Sequence, residues 1–174
     1  MEPRTGIAMI LGAALAWAAC GGDGGGGTAT DAAEVGHGHG AEEGGCEHMK
    51  EGPGQAVAAV APGAPAAPSV SAHHLRFDVT LPAAGDGFQG DVSYEADEGT
   101  DFAIFLDSDV PLQVLDGSGA VVAIEATEKP LELCTEVAVM HVVPLGVGTY
   151  RFRLGPAKAS KVSVVVEESG GHEH

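Results

Sequence analysis

The sequence predicts an all-β fold for residues 71–168, an antiparallel β-sandwich of about eight short strands. Three observations predict it. Apolar and polar residues alternate with the two-residue period of half-buried strands. Turn-forming Gly and Asp residues recur at spacings of roughly ten residues. No segment of this region carries a convincing helical period.

The elements follow in chain order. In HLRFDVTL, Leu75, Phe77, Val79 and Leu81 take every second place. Gly85-Asp86-Gly87 is a turn, and FQGDVSYEA follows with Phe88, Val92 and Tyr94. DFAIFLD, residues 101–107, is almost continuously apolar. PLQVLDGSGAVVAIE reads as a hairpin around Asp116-Gly117-Ser118-Gly119, residues that tolerate positive φ. TEVAVMHVV sets Val137, Val139, His141 and Val143 on one face. GVGTYRFRLG alternates through Tyr150, Phe152 and Leu154, and KVSVVVEE closes the set.

What precedes this domain has a different composition. Ile7 to Ala19 is an apolar run behind Arg4, too short to span a bilayer comfortably, and it reads as an export signal over residues 1–19. Residues 20–70 are rich in Gly, Ala, Pro, Glu and Asp and read as a tether. Within it APGAPAAPSV is biased to extended, polyproline-like backbone. Cys46 to Glu51 has room for one helical turn before Gly52-Pro53-Gly54 breaks it. QAVAAVA fits a short helix or an added strand equally well. Residues 169–174 form a histidine-containing tail.

Ala18, Ala19 and Cys20 resemble the lipobox of bacterial lipoproteins, although Trp17 stands where a leucine is usual. The resemblance implies lipidation of Cys20, and hence a membrane partner through the anchor at the cell envelope. The alternative is an ordinary secretory signal cut after Ala16-Trp17-Ala18. Gly21 is not the aspartate that retains some lipoproteins in the inner membrane, which points to the outer membrane or its periplasmic face. VPLQVLDGSGAVV, GTYRFRLG and VSVVVEE resemble, in order, the bacterial pre-peptidase C-terminal type of sandwich. That likeness implies an accessory, jelly-roll-like module. Cys46-Glu47-His48-Met49 with Gly52-Pro53, after a lipobox and a Gly-rich tether, resembles the C-E-H-[LM]-x-x-G-P segment of a group of uncharacterised bacterial lipoproteins, which implies no mechanism.

The formal net charge is −17, which argues against nucleic acid and anionic headgroups as partners and favours cations. With Cys20 lipidated, Cys46 and Cys134 remain. An oxidising compartment allows them a disulfide closing a loop of 87 intervening residues. The competing expectation is a zinc or copper centre of Cys46, His48, Cys134 and His141, with Met49 and Met140 alongside. Extended backbone would let Cys46 and His48 converge on one ion, whereas Cys134 and His141 meet only if Cys134 lies in the loop before its strand. The order Cys134, Met140, His141 does not fit a cupredoxin loop. His141 is also readable as a hydrogen-bonded core residue. His73 and His74 stand at the entrance to the first strand, within reach of a site at one sandwich end.

Two further pairs, His37 with His39 and His172 with His174, offer secondary, weak and exchangeable metal binding, or are incidental to low-complexity composition. Asp107, Asp109 and Asp116 are candidates for Ca²⁺ that hairpin polarity explains as well. G-x-S-x-G, G-x-x-x-x-G-K-[ST] and H-E-x-x-H are all missing, so no enzyme is expected. Two functions lead: transition-metal binding at the envelope, or a non-catalytic module for protein or glycan with a structural Cys46–Cys134 disulfide; a small envelope enzyme with a Cys/His metal centre is a distant third.

Overall fold

The computed structural model describes residues 39–169 except Leu133. Two packed sheets form the antiparallel sandwich that the alternation predicts. The chain enters through helix α1 (His39–Glu51), then β1 (Gly54–Ala58), β2 (Arg76–Thr80), β3 (Ala83–Ala84), β4 (Gly87–Ala96) and β5 (Thr100–Leu106). It continues through β6 (Leu112–Leu115), β7 (Val121–Val122), β8 (Ala126–Glu128), β9 (Val139–Leu145), β10 (Gly148–Ala157) and β11 (Lys161–Glu168). One sheet has the order β1-β2-β11-β5-β9-β8, the other β3-β4-β10-β6-β7. Every ladder is antiparallel except β1 on β2, where Gly54 lies opposite Arg76.

The main core lies between the sheets. Phe77, Val79, Phe102, Ile104, Leu106, Val164 and Val166 from the first meet Val92, Tyr94, Val114, Phe152 and Leu154 from the second. Tyr94 stacks on Phe152 at 5.3 Å between ring centroids and meets Phe102 edge-on at 5.4 Å. A second, smaller apolar cluster covers the outer face of the first sheet. It joins Met49, Ala103, Phe105, Leu131, Cys134, Val137, Met140 and Val165. This is why β5 is a continuous apolar run instead of an alternating one: both of its faces are covered.

Helix α1 is longer than the single turn expected from Cys46 to Glu51. Its glycines 40, 44 and 45 make it a poor helix by propensity, costing about 1 kcal/mol each against alanine. Packing forms it instead. Gly45 is buried against Phe105, and a Cβ built there would fall 2.4–2.7 Å from three carbons of that ring.

The tether read over residues 20–70 therefore ends sooner than its composition suggested. Residues 39–70 belong to the fold. QAVAAVA supplies the added strand β1. The Pro-rich stretch runs along the free edge of β4, where Val60 and Asp91 exchange backbone bonds of 2.8 and 3.1 Å and Val70 N donates to Ser93 O at 2.8 Å. Gly90 permits this approach, because a Cβ there would fall 2.7 Å from that of Ala59. Apolar periodicity could not reveal a segment held mainly by backbone hydrogen bonds and by one fully buried residue, Val70.

A buried ion cluster fixes the same stretch. Asp91 is fully buried, and Arg153 grips it through Nε and Nη2 at 2.8 and 3.0 Å. Arg151 Nη1 donates to Asp91 Oδ2 at 3.2 Å and to Ala64 O at 2.6 Å, and Gly63 N also donates to Asp91 Oδ2. Burial alone would raise the pKa of Asp91. The Arg153, Gly63 and Arg151 hydrogen bonds outweigh it and hold the carboxyl below its ordinary value. Among the described residues no helix is long and apolar enough to cross a membrane.

Candidate metal centre

Cys46 and Cys134 form a disulfide, with an S–S distance of 2.06 Å and 5.7 Å between Cα atoms. Cys46 lies on α1, and Cys134 lies in the loop before β9. The bridge corrects the Cys₂His₂ centre: two oxidised sulfurs present no thiolate to an ion. The two sulfurs lie within 4.8 Å of a Glu136 oxygen.

His141 does not join such a set either. It sits on β9, facing the same way as Val139 and Val143 and opposite Ile104 and Thr127 in register. Its Nδ1 shares a 2.9 Å hydrogen bond with Thr127 Oγ1, and its Nε2 is buried without a partner. Burial, then the Lys129 charge, pushes its pKa below the usual imidazole value, against a smaller opposite effect from Asp109. It is a largely buried, neutral core histidine.

His48 behaves differently. It lies two residues beyond the bridged cysteine and leaves α1 toward the first sheet. There its Nδ1 donates to Glu167 Oε1 on β11 at 2.6 Å. His74 approaches from the segment before β2, with Nδ1 3.8 Å from Glu167 Oε2 and its ring 4.9 Å from that of His48. One ligand atom from each of His48, His74 and Glu167 lies within 4.8 Å of the other two. The arrangement supplies two imidazoles and a carboxylate, a donor set suited to Zn²⁺ and to Cu²⁺. Donor atoms around tetrahedral zinc stand roughly 3.3 Å apart, as its 2.0–2.1 Å bonds require, so the His48–Glu167 pair at 2.6 Å must open slightly while the other donors, within 4.8 Å, close. Side-chain exposure grades from Glu167 at 12% through His48 at 21% to His74 at 73%. The carboxylate thus forms the floor and His74 the rim.

Two local features hold the set. Arg76 Nη1 donates to Met49 O at 3.0 Å, pinning the last turn of α1 beside β2. His74 has φ of 57°, left-handed backbone that a non-glycine residue adopts at a cost of about 1–2 kcal/mol and that clusters at functional positions. A second set adjoins the first: His73, Asp97 and Glu168 also bring one ligand atom each within 4.8 Å of the others.

The remaining carboxylates serve turns. Asp116 Oδ1 accepts from Ser118 N, Ser118 Oγ and Ala120 N at 2.6–2.9 Å, closing the β6–β7 hairpin. Asp107 Oδ1 accepts from Ser163 N at 2.9 Å, while Asp109 pairs with Lys129 at 3.3 Å. Asp107 and Asp109 therefore serve separate polar contacts. Cys20, His37, His172 and His174, and the side chain of His39, lie outside the described residues.

Sequence reasoning singled out His48 and left His73 and His74 as residues that could reach a site. It missed Glu167, which reads in KVSVVVEE only as the polar end of a strand. The available signal was strand parity: Val165 and Glu167 share the face that α1 covers. A scan against protein-family models gave no match for this chain, and neither did a comparison with curated proteins.

Proposed function

We propose that the chain is a lipid-anchored protein of the bacterial cell envelope that binds and handles a transition-metal ion, Zn²⁺ or Cu²⁺, at His48, His74 and Glu167. One observation carries this: two imidazoles and a nearly buried carboxylate, from three separate elements, converge within 4.8 Å. The anchor rests on the lipobox-like Ala18-Ala19-Cys20 behind an apolar signal. The high negative charge favours cation encounter. His37 with His39, and His172 with His174, act as outer collectors. His172 is four residues past Glu168, so it can lie no farther than about 14 Å from it along the chain. The reading is one of binding, without a catalytic step.

The test is titration of the full mature chain with Zn²⁺, repeated with Cu²⁺ and with His74→Ala. Because His74 is mostly exposed, its loss leaves the fold intact. It should weaken the tight site by about tenfold or more, the range seen even for outer-shell groups. An unchanged affinity refutes the site.

A second reading has its own observation. An open groove of about 870 Å³ lies over the other sheet, lined by Gln113, Tyr150, Arg151 and Arg153 and walled by the 63–67 segment. In that reading the sandwich is a non-catalytic module for a protein or glycan, and the disulfide is purely structural. It takes precedence if the full chain retains no metal.

A further inference from the structure

We infer that His73, Asp97 and Glu168 form a second, outer site for a divalent transition-metal ion, immediately beside the His48–His74–Glu167 site and loading it. The inference rests on the metal-binding reading above and adds to it a second ion and a route.

The arrangement follows from two dipeptides. His73-His74 enters β2, and Glu167-Glu168 ends β11, the strand paired with β2. Successive residues of a strand point to opposite faces, so Glu167 turns to the α1 side and Glu168 to the other. The left-handed backbone at His74 likewise separates the two imidazoles. Each histidine therefore meets its own carboxylate. Asp97, just past β4 of the other sheet, completes the outer set.

The imidazoles run as a short ladder. His48 and His74 are 4.9 Å apart between ring centroids, and His74 and His73 are 6.4 Å apart. Neighbouring imidazoles thus link the two sets. Donor chemistry sets the direction. The outer set has one imidazole and two carboxylates on exposed or half-exposed residues, which favours rapid, weaker capture. The inner set has two imidazoles over a nearly buried carboxylate, which favours retention. An ion already in the inner site repels a second one close by, so the outer site fills last and empties first.

The phenol of Tyr94 lies within the field of the same carboxylates. Its pKa is pushed up first by burial and then by the negative charges of Glu168, Asp97 and Glu167, the three carboxylates of the two sets. Three negative charges thus converge at one end of the sandwich, where a cation is the natural counter-charge.

Stoichiometry decides the matter. The full mature chain carries His37→Ala, His39→Ala, His172→Ala and His174→Ala, so that only the two sets remain to be counted. It is equilibrated with Zn²⁺ at rising free concentration, and bound zinc is measured directly. Two ions per chain at saturation are expected, with separated affinities. His73→Ala and Asp97→Asn should each remove the weaker ion and leave the tighter one. Zinc saturating at one ion, unaffected by either substitution, overturns the outer site while leaving the inner one standing. Saturation at one ion that His73→Ala abolishes also overturns it, since the two histidines would then serve a single centre. A chain that retains no zinc overturns both.

Discussion

Removing the Cys46–Cys134 bridge, as Cys46→Ala with Cys134→Ala, should lower stability and loosen the proposed metal centre together. The bridge joins residues 88 positions apart. Loop-closure entropy for that separation gives about 4 to 5 kcal/mol at 25 °C. The described fold has about 130 residues. At roughly 2.1 cal/mol/K per residue, its unfolding entropy near the midpoint is about 270 cal/mol/K. The melting temperature should therefore fall by about 15 °C, and by less where the unbridged unfolded chain is already compact. The second effect is local. Without the bridge, α1 is held by Met49 in the outer cluster, by Arg76 on Met49 O and by the His48–Glu167 contact. The Lys50–Glu136 pair, at 3.9 Å with both side chains well exposed, adds little. A helix with three glycines in its 13 residues has small intrinsic stability, so α1 should fray and withdraw His48 from the site. The assay is thermal unfolding followed by circular dichroism, with Zn²⁺ titration in parallel, on the double variant and on wild type with and without reductant. A melting temperature within about 3 °C of the oxidised wild type, in both the variant and the reduced chain, would refute the reasoning.

The other predictions concern packing and titration. Gly44→Ala meets no atom within 4 Å and should stabilise the chain by about 1 kcal/mol, whereas Gly45→Ala drives a methyl into the Phe105 ring and should destabilise it by about 1–2 kcal/mol after the helix gain is subtracted. Chemical denaturation of the pair checks both, and equal shifts would show that α1 does not press on β5. Acid should act in two stages. The lowered pKa of His141 means that the unfolded chain takes up a proton where the folded one does not, so stability is full above about pH 6.5 and declines as pH falls from there toward the folded value. The lowered pKa of Asp91 contributes stability that is present above about pH 4 and is lost as pH falls through its folded value. His141→Leu should abolish the first stage only. At neutral pH it should be neutral or up to about 1 kcal/mol stabilising, because it removes the unpartnered Nε2. Denaturation midpoints between pH 3 and 8 test this, and a first stage that survives in the variant would exclude His141 as its source.

The strands were legible because burial on one face writes itself into every second residue. Phe77 and Val79, or Phe152 and Leu154, declare their strands without any knowledge of their partners. The hairpin at Asp116 declared itself through turn chemistry. The count of about eight strands falls short of the eleven described because β1 lies in a stretch that fits a helix or a strand equally well, and β3 and β8 have only two and three residues, too few to show a period. Helix α1 was hidden for another reason. Its glycines speak against a helix, and only the flat approach to Phe105 and the bridge to Cys134 make it one. Both belong to tertiary contact, which a local window does not contain.

The site followed the same rule. The sulfur atoms and imidazoles of Cys46, His48, Cys134 and His141 had the right chemistry for a zinc centre, but their geometry assigns them separate tasks. The cysteines fix α1 on the sheet, His141 fills the core side of β9, and only His48 is delivered to a polar cluster. The bridge and the candidate centre are then parts of one arrangement, because Cys46 and His48 share a helix that has little reason to form alone. A chain still reduced would hold both the docked helix and its imidazole less firmly. Tight binding by the proposed donor set should therefore follow formation of the bridge.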